Sequence, residues 1–427
     1  MSDRYLLNCS LTRLSNITTK IGSGATPHGG KESYKASGIT LIRSLNVYDF
    51  AFSEEGLAFI DEDQAAELSN VEVQLNDILL NITGASVARC CIVPNKVLPA
   101  RVNQHVAIIR TNLTLADPHF LLYSINSPKY KHHLLTLAQG GATREALTKD
   151  TIGNFEIHFP PLATQRKIAS ILSAYDDLIE NNMRRIKILE EMAQLIYREW
   201  FVKFRFPGHK KIKMADSPMG KIPEGWEVKK SSEVLWINPR EGIARGKEKP
   251  YVAMDGLSAD SMMVTPKEMR ASNGGSKFRN GDTLFARITP CLENGKTGFV
   301  QFLPPENEVG IGSTEFIVLR SKTLCPEYVY LLARLEDFRG NAVKSMTGAS
   351  GRQRVQVECF EKYLVAQPDK QTLGMFSTFV KPTFKEAFVL HQKNENLRRT
   401  RDLLLPKLIS GELHLSELDI SNGDQIG

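Results

Sequence analysis

The sequence predicts an α+β fold in which two similar globular domains are separated by two long antiparallel helices that form a coiled coil. Three observations support this prediction. A heptad seam extends through residues 164–203, the same order of short motifs occurs before and after that stretch, and a second seam occupies residues 371–405. Apolar residues at alternating spacings of four and three place one face of a helix against a partner helix.

The central helix is predicted from residues 164–203, which contain neither proline nor glycine. Its seam has one polar member, Asn182, and consists of Ile168, Leu172, Tyr175, Ile179, Asn182, Ile186, Leu189, Ala193, Ile196 and Trp200. A helix of about 40 residues is about 60 Å long, so we expect a rod that pairs with another helix. The alternative is a core helix of one large domain, although globular helices seldom keep a single seam so long.

The segments on either side of this helix follow the same plan, which indicates a tandem duplication. Five pairs of similar segments, separated by 205 to 210 residues, begin at positions 77 and 282, 105 and 315, 118 and 326, 140 and 347, and 155 and 363. One such pair could arise by chance, but five pairs in the same order indicate two copies of one domain.

Helix-breaking residues and composition set the predicted boundaries. Pro207 and Gly208 end the central helix, as expected of a breaker pair. We assign a first domain to 1–160, the central helix to 161–205, a linker to 206–225, a second domain to 226–368, a second long helix to 369–415 and a polar tail to 416–427.

The second helix is predicted to pair with the first in one register. Its seam is weaker and consists of Phe376, Val380, Thr383, Ala387, Leu390, Asn394, Leu397, Arg401 and Leu404. Because a buried asparagine pair is a register device in coiled coils, we predict that Asn182 and Asn394 share one layer. That register places Arg401 beside Tyr175. Pro382 is expected to kink the helix or to start it afresh.

Composition describes an ordinary globular chain of 427 residues, with 42% hydrophobic and 24% charged residues. We expect no membrane span, because no apolar run reaches the required length of about 18 residues. We expect no signal peptide, because the N-terminus lacks a basic region followed by a long apolar run. The six cysteines show no zinc-ligand spacing, so we interpret them as reduced thiols in a bacterial-type cytoplasm. The formal charge of +6 permits nucleic-acid binding without requiring it.

Motifs for catalysis are not found. Residues 24–31 approach a phosphate-binding loop but lack its Gly-Lys-Ser/Thr ending, and Asn238-Pro239-Arg240 does not match a base-methylation tetrapeptide. Pro368-Asp369 is not followed by the acidic and lysine residues of a nuclease, and the nine histidines are scattered. We therefore expect no catalytic residue, no metal and no bound cofactor in this chain.

Three stretches of sequence resemble the specificity subunits of type I restriction-modification systems. Phe159-Pro160-Pro161-Leu162-Ala163-Thr164-Gln165-Arg166-Lys167-Ile168-Ala169 and Glu199-Trp200-Phe201-Val202-Lys203-Phe204-Arg205-Phe206-Pro207-Gly208-His209 resemble the central conserved region of that family. Residues 403–413 resemble its distal conserved region. One departure is Ala163-Thr164, where the family more often has an acidic residue before Gln165.

The resemblance implies a DNA-reading subunit that has two target-recognition domains, each for half of a split site, and no catalytic activity. It implies partners as well: double-stranded DNA, two methyltransferase subunits that use S-adenosylmethionine, and restriction/translocase subunits. Two such domains would meet DNA about one helical turn, ~34–36 Å, apart. The alternatives are a coiled-coil scaffold with two protein-binding modules and an enzyme fused to a DNA reader.

Candidate DNA contacts are polar and basic residues in the predicted loops, because arginine reads guanine and lysine pairs with phosphate. In the first domain they are Thr26, Lys31, Arg43, Asn46, Arg89, Arg101, Asn103, Gln104 and Arg144. In the second they are Arg240, Arg245, Lys247, Arg279, Arg287, Lys296, Arg352 and Arg354. For any single residue a solvated surface charge is at least as good an interpretation.

The helix pair supplies two further sets of candidates. The residues assigned to the spacer coiled coil are Leu172, Ile179, Asn182, Ile186, Trp200, Leu390, Asn394, Leu397 and Leu404. Charged residues on the outer faces of the central helix are candidates for methyltransferase docking, with a solvated surface as the alternative, and they are Asp176, Asp177, Glu180, Arg184, Arg185, Lys187, Glu190 and Glu191.

Overall fold

The computed structural model of the chain describes residues 10–140, 146–242, 246–272, 274–304, 309–349 and 351–413, without the side chain of Lys31. The candidates Arg144 and Arg245 and the predicted polar tail lie outside the described residues. The chain divides into two compact units, the first containing residues 1–179 and 396–427 and the second residues 180–395. Among the described residues, no helix is both long enough and apolar enough to cross a membrane.

The first unit contains twelve described strands and five described short helices, together with parts of the two long helices. The strands are β1 (Ser10–Arg13), β2 (Thr18–Ser23), β3 (Ile39–Ile42), β4 (Val47–Tyr48), β5 (Ala51–Phe52), β6 (Ala58–Ile60), β7 (Glu72–Val73), β8 (Ile78–Asn81), β9 (Cys90–Ile92), β10 (Ala100–Val102), β11 (Val106–Thr111) and β12 (Glu156–Phe159). The short helices are α1 (Leu14–Ile17), α2 (Glu62–Glu67), α3 (Pro118–Asn126), α4 (Pro128–Gln139) and α5 (Lys149–Gly153).

Two four-stranded sheets form the core of the first domain. One is antiparallel, in the order β2-β11-β8-β9, and the other has the order β6-β3-β10-β7 with β3 and β10 parallel. Alternate residues of β8 point to opposite faces, as in any strand. Ile78 and Leu80 pack with the helices, whereas Leu79 packs against the other sheet. The strand is therefore buried on both faces, which explains its continuous apolar run.

The second unit repeats this plan. Its strands are β13 (Met214–Ser217), β14 (Gly220–Pro223), β15 (Glu227–Lys230), β16 (Leu235–Ile237), β17 (Lys249–Val252), β18 (Glu268–Arg270), β19 (Ser276–Phe278), β20 (Thr283–Ala286), β21 (Thr297–Phe299), β22 (Gly310–Gly312), β23 (Phe316–Ser321) and β24 (Leu364–Gln367).

The strand orders β16-β23-β20-β21 and β18-β17-β22-β19 match the two sheets of the first domain strand for strand, including one parallel pair, β17 with β22. The pair β15-β24 corresponds to β1-β12 in the same way. The duplication predicted from the sequence is therefore present in the topology of the two domains.

The two long helices are α6 (Leu162–Tyr197), which ends in a π-helical turn at Arg198–Val202, and α11 (Lys370–Ser410). Between them come the short helices α7 (Ser231–Val234), α8 (Pro326–Ala333), α9 (Glu336–Lys344) and α10 (Glu358–Glu361). Both long helices contribute residues to both units.

The long helices pair antiparallel in the predicted register. In the second unit the Asn182 amide donates to the Asn394 amide oxygen at 2.8 Å, and the ring of Trp200 lies 5.9 Å from that of Phe376. Both asparagines are buried, as are Ile186 and Leu390. The predicted asparagine layer is confirmed.

Of the two outcomes expected at Pro382, a fresh helix start is not seen, because α11 continues through that residue. Two other details of the helix prediction were wrong. The seam was predicted to bury Thr383 and Leu404, but the buried residues are their neighbours Phe384 and Leu405. The reason is that the domains also pack on α11 beside the seam. The expected cation contact of Arg401 with Tyr175 is replaced by an ion pair with Asp176.

Candidate nucleic-acid interface

Several loops of the first domain meet at one end of its antiparallel sheet. The segments after β2 and after β8 lie beside the segment before β11, because the last residues of both strands pair with the start of β11. The Leu147 N–H donates to the Ile82 carbonyl at 2.8 Å, which brings the segment after α4 to the same end. A Cβ at Gly24 would lie 1.9 Å from the Val102 carbonyl oxygen, so only glycine fits this close approach. We call residues 24–29, 82–89, 103–105 and 146–148 the first loop cluster.

Polar side chains of this cluster form two pairs near its surface. The Thr26 hydroxyl donates to the Gln104 amide oxygen, and both residues are exposed. The hydroxyl oxygen of Thr83 lies 2.7 Å from the Nδ1 of His105. Hydroxyl, amide and imidazole groups can all bond base edges or phosphates. Sequence reasoning missed Thr83 and His105, although His105 adjoins the candidate Gln104 directly before a strand.

Two candidate arginines, Arg89 in this cluster and Arg43 near it, lie over aromatic rings. The guanidinium of Arg89 is 4.9 Å from the centre of the Tyr48 ring, and that of Arg43 is 5.5 Å from the Tyr34 ring. Arg43 follows β3, whose end lies beside Asn103 through the Asn103 N–H bond to Ile42. A cation over a ring is held in a defined orientation while it remains partly solvated.

An equivalent cluster lies at the same end of the antiparallel sheet in the second domain. The Arg287 N–H donates to the Glu315 carbonyl at 3.0 Å, and the Val355 N–H donates to the Arg287 carbonyl at 2.9 Å. The segment after β20 is thereby joined to the segment before β23 and to the segment after α9. We call residues 287–296, 313–315, 347–349 and 351–355 the second loop cluster.

Four candidates fall in the second cluster. Arg352 and Arg354 are exposed, and Arg354 holds both carboxylate oxygens of Glu315, at 2.7 and 3.0 Å, which raises the Arg354 pKa. Arg287 and Lys296 are half-buried and donate to the carbonyls of Val355 and Met254. The four basic residues outnumber the two acidic residues of the cluster, Glu293 and Glu315, so the cluster carries net positive charge.

The structure does not bring three other candidates of the second domain into this cluster. Arg279 follows β19, whose last residue pairs with the first residue of β22, at the end of that strand away from residues 313–315. Its guanidinium donates to the Glu241 carboxylate through two bonds of 2.8 Å. Arg240, which precedes Glu241 in the sequence, and Lys247 are exposed in the segment between β16 and β17.

Glu241 is the centre of a charged group in this part of the second domain. Burial acts to raise its pKa, but hydrogen bonds from Arg279 and Arg320 hold that pKa below its ordinary value. Arg320 also pairs with the buried Asp282 at 2.6 Å, and that bond raises the Arg320 pKa. The first domain has the corresponding pair, Arg110 with the buried Asp77 at 2.7 Å.

Three candidates of the first domain are buried and engaged within it, which corrects the sequence interpretation. Asn46 is fully buried, and its amide donates to the carbonyls of Ser53 and Glu55. Arg101 is 8% exposed and donates to Ala65 O at 3.1 Å, while Asn103 accepts the His105 N–H. These groups brace turns and strands, because buried polar groups require such partners. The side chain of Lys31 lies outside the described residues.

The charged residues of α6 divide into two groups. Arg184 and Lys187 form exposed i,i+4 pairs along the helix, and Arg185 pairs with Glu386 of α11 at 2.7 Å. Asp176 and Glu190 are instead turned toward their own domains, which corrects their assignment to an outer docking face. Glu190 is buried and accepts bonds from Ser261 and the Met262 N–H, and burial raises its pKa.

An exposed apolar stripe also lies on α6. Ile188, Met192 and Leu195 follow one another at helical spacings of four and three and are 55%, 49% and 59% exposed. Such a stripe lies on one side of a helix and is an available contact surface for a partner.

The duplicated domains, their equivalent loop clusters and the antiparallel helix pair define a two-domain recognition protein. Residues 14–191 match the family model described as the type I restriction modification DNA specificity domain. The chain is 30% identical over 365 residues to the type I restriction enzyme MjaVIII specificity subunit of Methanocaldococcus jannaschii, with 83% of each chain covered. It is 25% identical over 411 residues to the MjaIX specificity subunit of that organism, covering 93% of this chain and 92% of the other.

This chain belongs to the family of type I restriction-modification specificity subunits. Its fold is similar to the crystal structure of the S subunit from M. genitalium, with a TM-score of 0.56, 14% identity, and 94% and 96% of the two chains covered. The relatives are named as specificity subunits, the recognition components of type I enzymes rather than the catalytic subunits.

Proposed function

We propose that this chain reads a bipartite DNA target, with the first loop cluster on one half-site and the second loop cluster on the other. The observation that carries the proposal is the equivalence of the two clusters, each at the same end of a matching sheet. Exposed arginine and amide groups there are suited to base edges and phosphates. Affinity would come largely from phosphate contacts and would fall with added salt.

We further propose that the helix pair docks two methyltransferase subunits and that a restriction/translocase subunit joins the complex in the cytoplasm. The methyltransferase subunits, not this chain, would bind S-adenosylmethionine. The exposed stripe Ile188, Met192 and Leu195 and the surrounding charges of both signs support a protein contact on α6. Family membership supports the choice of partner.

A domain exchange tests the bipartite proposal. Residues 227–366 are replaced with those of a related subunit, and the assembled methyltransferase modifies a plasmid library whose methylated sites are sequenced. We expect one half of the target to change and the other to remain. A change in both halves, or in neither, contradicts the assignment of one half-site to each domain.

A matched pair of arginine substitutions tests the second loop cluster. Arg352→Ala should weaken binding and either relax specificity at one base pair, by about 1–3 kcal/mol, or lower the salt slope by about one. Arg240→Ala, at an exposed arginine of the same domain outside the cluster, should change neither. Equal effects of both substitutions would contradict the placement of the interface.

Docking is tested by reversing charge on α6. Arg184→Glu with Arg185→Glu should weaken assembly with the methyltransferase more than it weakens DNA binding by the specificity subunit alone. Equal loss of both would argue against docking at this surface.

A wild-type chain that shows no salt-sensitive preference for one split duplex would favour the alternative of a protein-binding scaffold.

A further inference from the structure

A nearly buried arginine joins α11 to the first domain and to α6. Arg401 is 8% exposed and donates through Nη1 to Asp176 of α6. It also donates to Asp402, its neighbour on α11, through Nε at 3.0 Å and Nη2 at 2.9 Å. A charge withdrawn from water in this way requires partners with defined geometry, so Arg401 holds the two helices at one relative position in the first unit.

The same carboxylate also holds a side chain of the first domain. The hydroxyl of Tyr123, on α3, donates to the second oxygen of Asp176 at 2.5 Å. The Tyr123 ring is 1% exposed, in the core that α3 forms with the antiparallel sheet. Asp176 therefore accepts a hydrogen bond from Arg401 of α11 with one carboxylate oxygen and a hydrogen bond from Tyr123 of the first domain with the other.

A strained turn completes this arrangement. Phe50 lies in the tight turn between β4 and β5 with φ of +61°, a left-handed conformation that bulky residues rarely adopt. Its ring centre lies 4.2 Å from the Arg401 guanidinium and 5.8 Å from the Tyr123 ring centre. Strain of this kind persists where surrounding contacts determine the position, and here the contacts are the cation and the tyrosine.

We propose that Tyr123, Asp176, Arg401 and Phe50, which we call the anchor cluster, hold the first recognition domain in one orientation on the helix pair and thereby restrict the spacer length that the protein accepts between half-sites. The proposal rests on the bipartite reading of DNA proposed above. Asp176 and Arg401 are positioning residues in this account, because they reach DNA only through the domain they hold.

The test measures spacer discrimination, which a general loss of stability would not change. The full-length chain binds a series of duplexes that carry its two half-sites, identified by methylation sequencing, with spacers one and two base pairs shorter or longer than the natural one. The variants are Asp176→Asn, Arg401→Met and Tyr123→Phe. The matched control is Glu386→Gln, which removes the exposed pair with Arg185 between the same helices, where each side chain is 50% exposed.

We expect Asp176→Asn and Arg401→Met to reduce the ratio of affinities for natural and altered spacers by about tenfold. The reduction should be smaller for Tyr123→Phe, because that variant removes one hydrogen bond and leaves the ion pair of Asp176 with Arg401 in place. The double variant of Asp176 and Arg401 should show no further reduction, since the two residues act together. Glu386→Gln should keep the wild-type ratio.

Two results overturn the inference. One is a sharp spacer preference that the variants retain, and the other is a loss of affinity that is equal for every spacer. Circular dichroism shows whether the Asp176 and Arg401 variants fold. If either does not fold, the spacer preference of Tyr123→Phe decides the test, because that variant loses a single hydroxyl and keeps the buried ring. A wild-type chain that binds no bipartite duplex overturns the proposed function itself, which separates that failure from failure of the anchor cluster.

Discussion

The two domains share one topology but contact the long helices through different chemistry. In the first domain an apolar core between domain and helices is joined by a polar contact at Gln165. This side chain is fully buried, accepts from the Asp117 N–H and donates to the carbonyls of Leu115 and Pro160. In the second domain the core contact is largely aromatic, and the Phe201 ring lies 4.7 Å from the rings of both Phe376 and Tyr328. Hydrogen bonds impose direction on a contact, whereas aromatic packing supplies buried area.

This difference shows that a duplicated fold does not require duplicated contacts. The aromatic contact uses the block 199–209 that carries the family resemblance, with Trp200, Phe201, Phe206 and Trp226 packed together. The polar contact uses Gln165, from the other block. Each block therefore serves the domain that lies nearest to it in the sequence.

The largest expected effect comes from removing the centre of the aromatic contact. Phe376→Ala should lower the free energy of unfolding of the second unit by about 3–5 kcal/mol, because a buried phenylalanine leaves a cavity. Urea unfolding followed by tryptophan fluorescence measures this loss. Phe379→Ala is the control, since Phe379 is 60% exposed, and a comparable loss there would contradict the account.

A smaller effect is expected at the polar contact. Gln165→Met preserves side-chain length but leaves one N–H and two carbonyls without their partner, which should lower the stability of the first unit by about 2 kcal/mol. Hydrogen exchange at the Asp117 amide should report the loss directly. An unchanged exchange rate at the Asp117 amide would contradict the polar contact described for Gln165. Gln371→Met, at an exposed position early in α11, serves as the control.

The contribution of the Asn182–Asn394 pair to stability can be tested by replacing the two asparagines singly and together. Asn182→Leu alone should cost about 1–2 kcal/mol, because the buried hydrogen bond from the Asn182 amide to the Asn394 amide oxygen is then lost. Adding Asn394→Leu should restore or exceed the wild-type stability, since paired leucines suit a coiled-coil core. A double variant as unstable as the single variant would contradict this layer. The four chains are compared by thermal unfolding as a double-mutant cycle.

The smallest effect concerns Glu241, which the second domain adds to the arginine–aspartate pair that both domains contain. Its pKa in the folded protein is below the ordinary value, so it stabilises the fold above about pH 4, and this contribution is lost as pH falls through the folded-state pKa. Glu241→Gln should therefore cost about 1 kcal/mol or less at neutral pH, and the difference should vanish in acid. A difference that persists in acid would assign the effect to packing.

The prediction succeeded best where the signal lies within a short stretch of chain. The seam of α6 and the pair Asn182–Asn394 follow from apolar spacing, which any helix translates into one face. The duplication follows from the order of motifs and is seen in the matched sheets. The DNA candidates Thr26, Gln104, Arg352 and Arg354 are exposed in the loop clusters, and their contact with DNA stays a prediction.

Sequence reasoning failed where a side chain's partner lies far away along the chain. Arg101 and Asn46 have the composition of DNA contacts, yet the turns and strands around them bury both. Arg401 was expected beside Tyr175 but lies against Asp176 and Phe50, because the first domain packs on that side of the helices.

Periodicity, breakers and repeated motifs thus established the α+β class, the two domains and the helix register, because each of these is encoded over a few turns or strands. The tertiary structure determines which polar residues remain at the surface and which are buried and hydrogen-bonded within the domains. The physical reason is that burial depends on what packs against a residue. For Gln165, Asp176 and Arg401 the packing partner comes from a distant segment, whose approach no local pattern specifies.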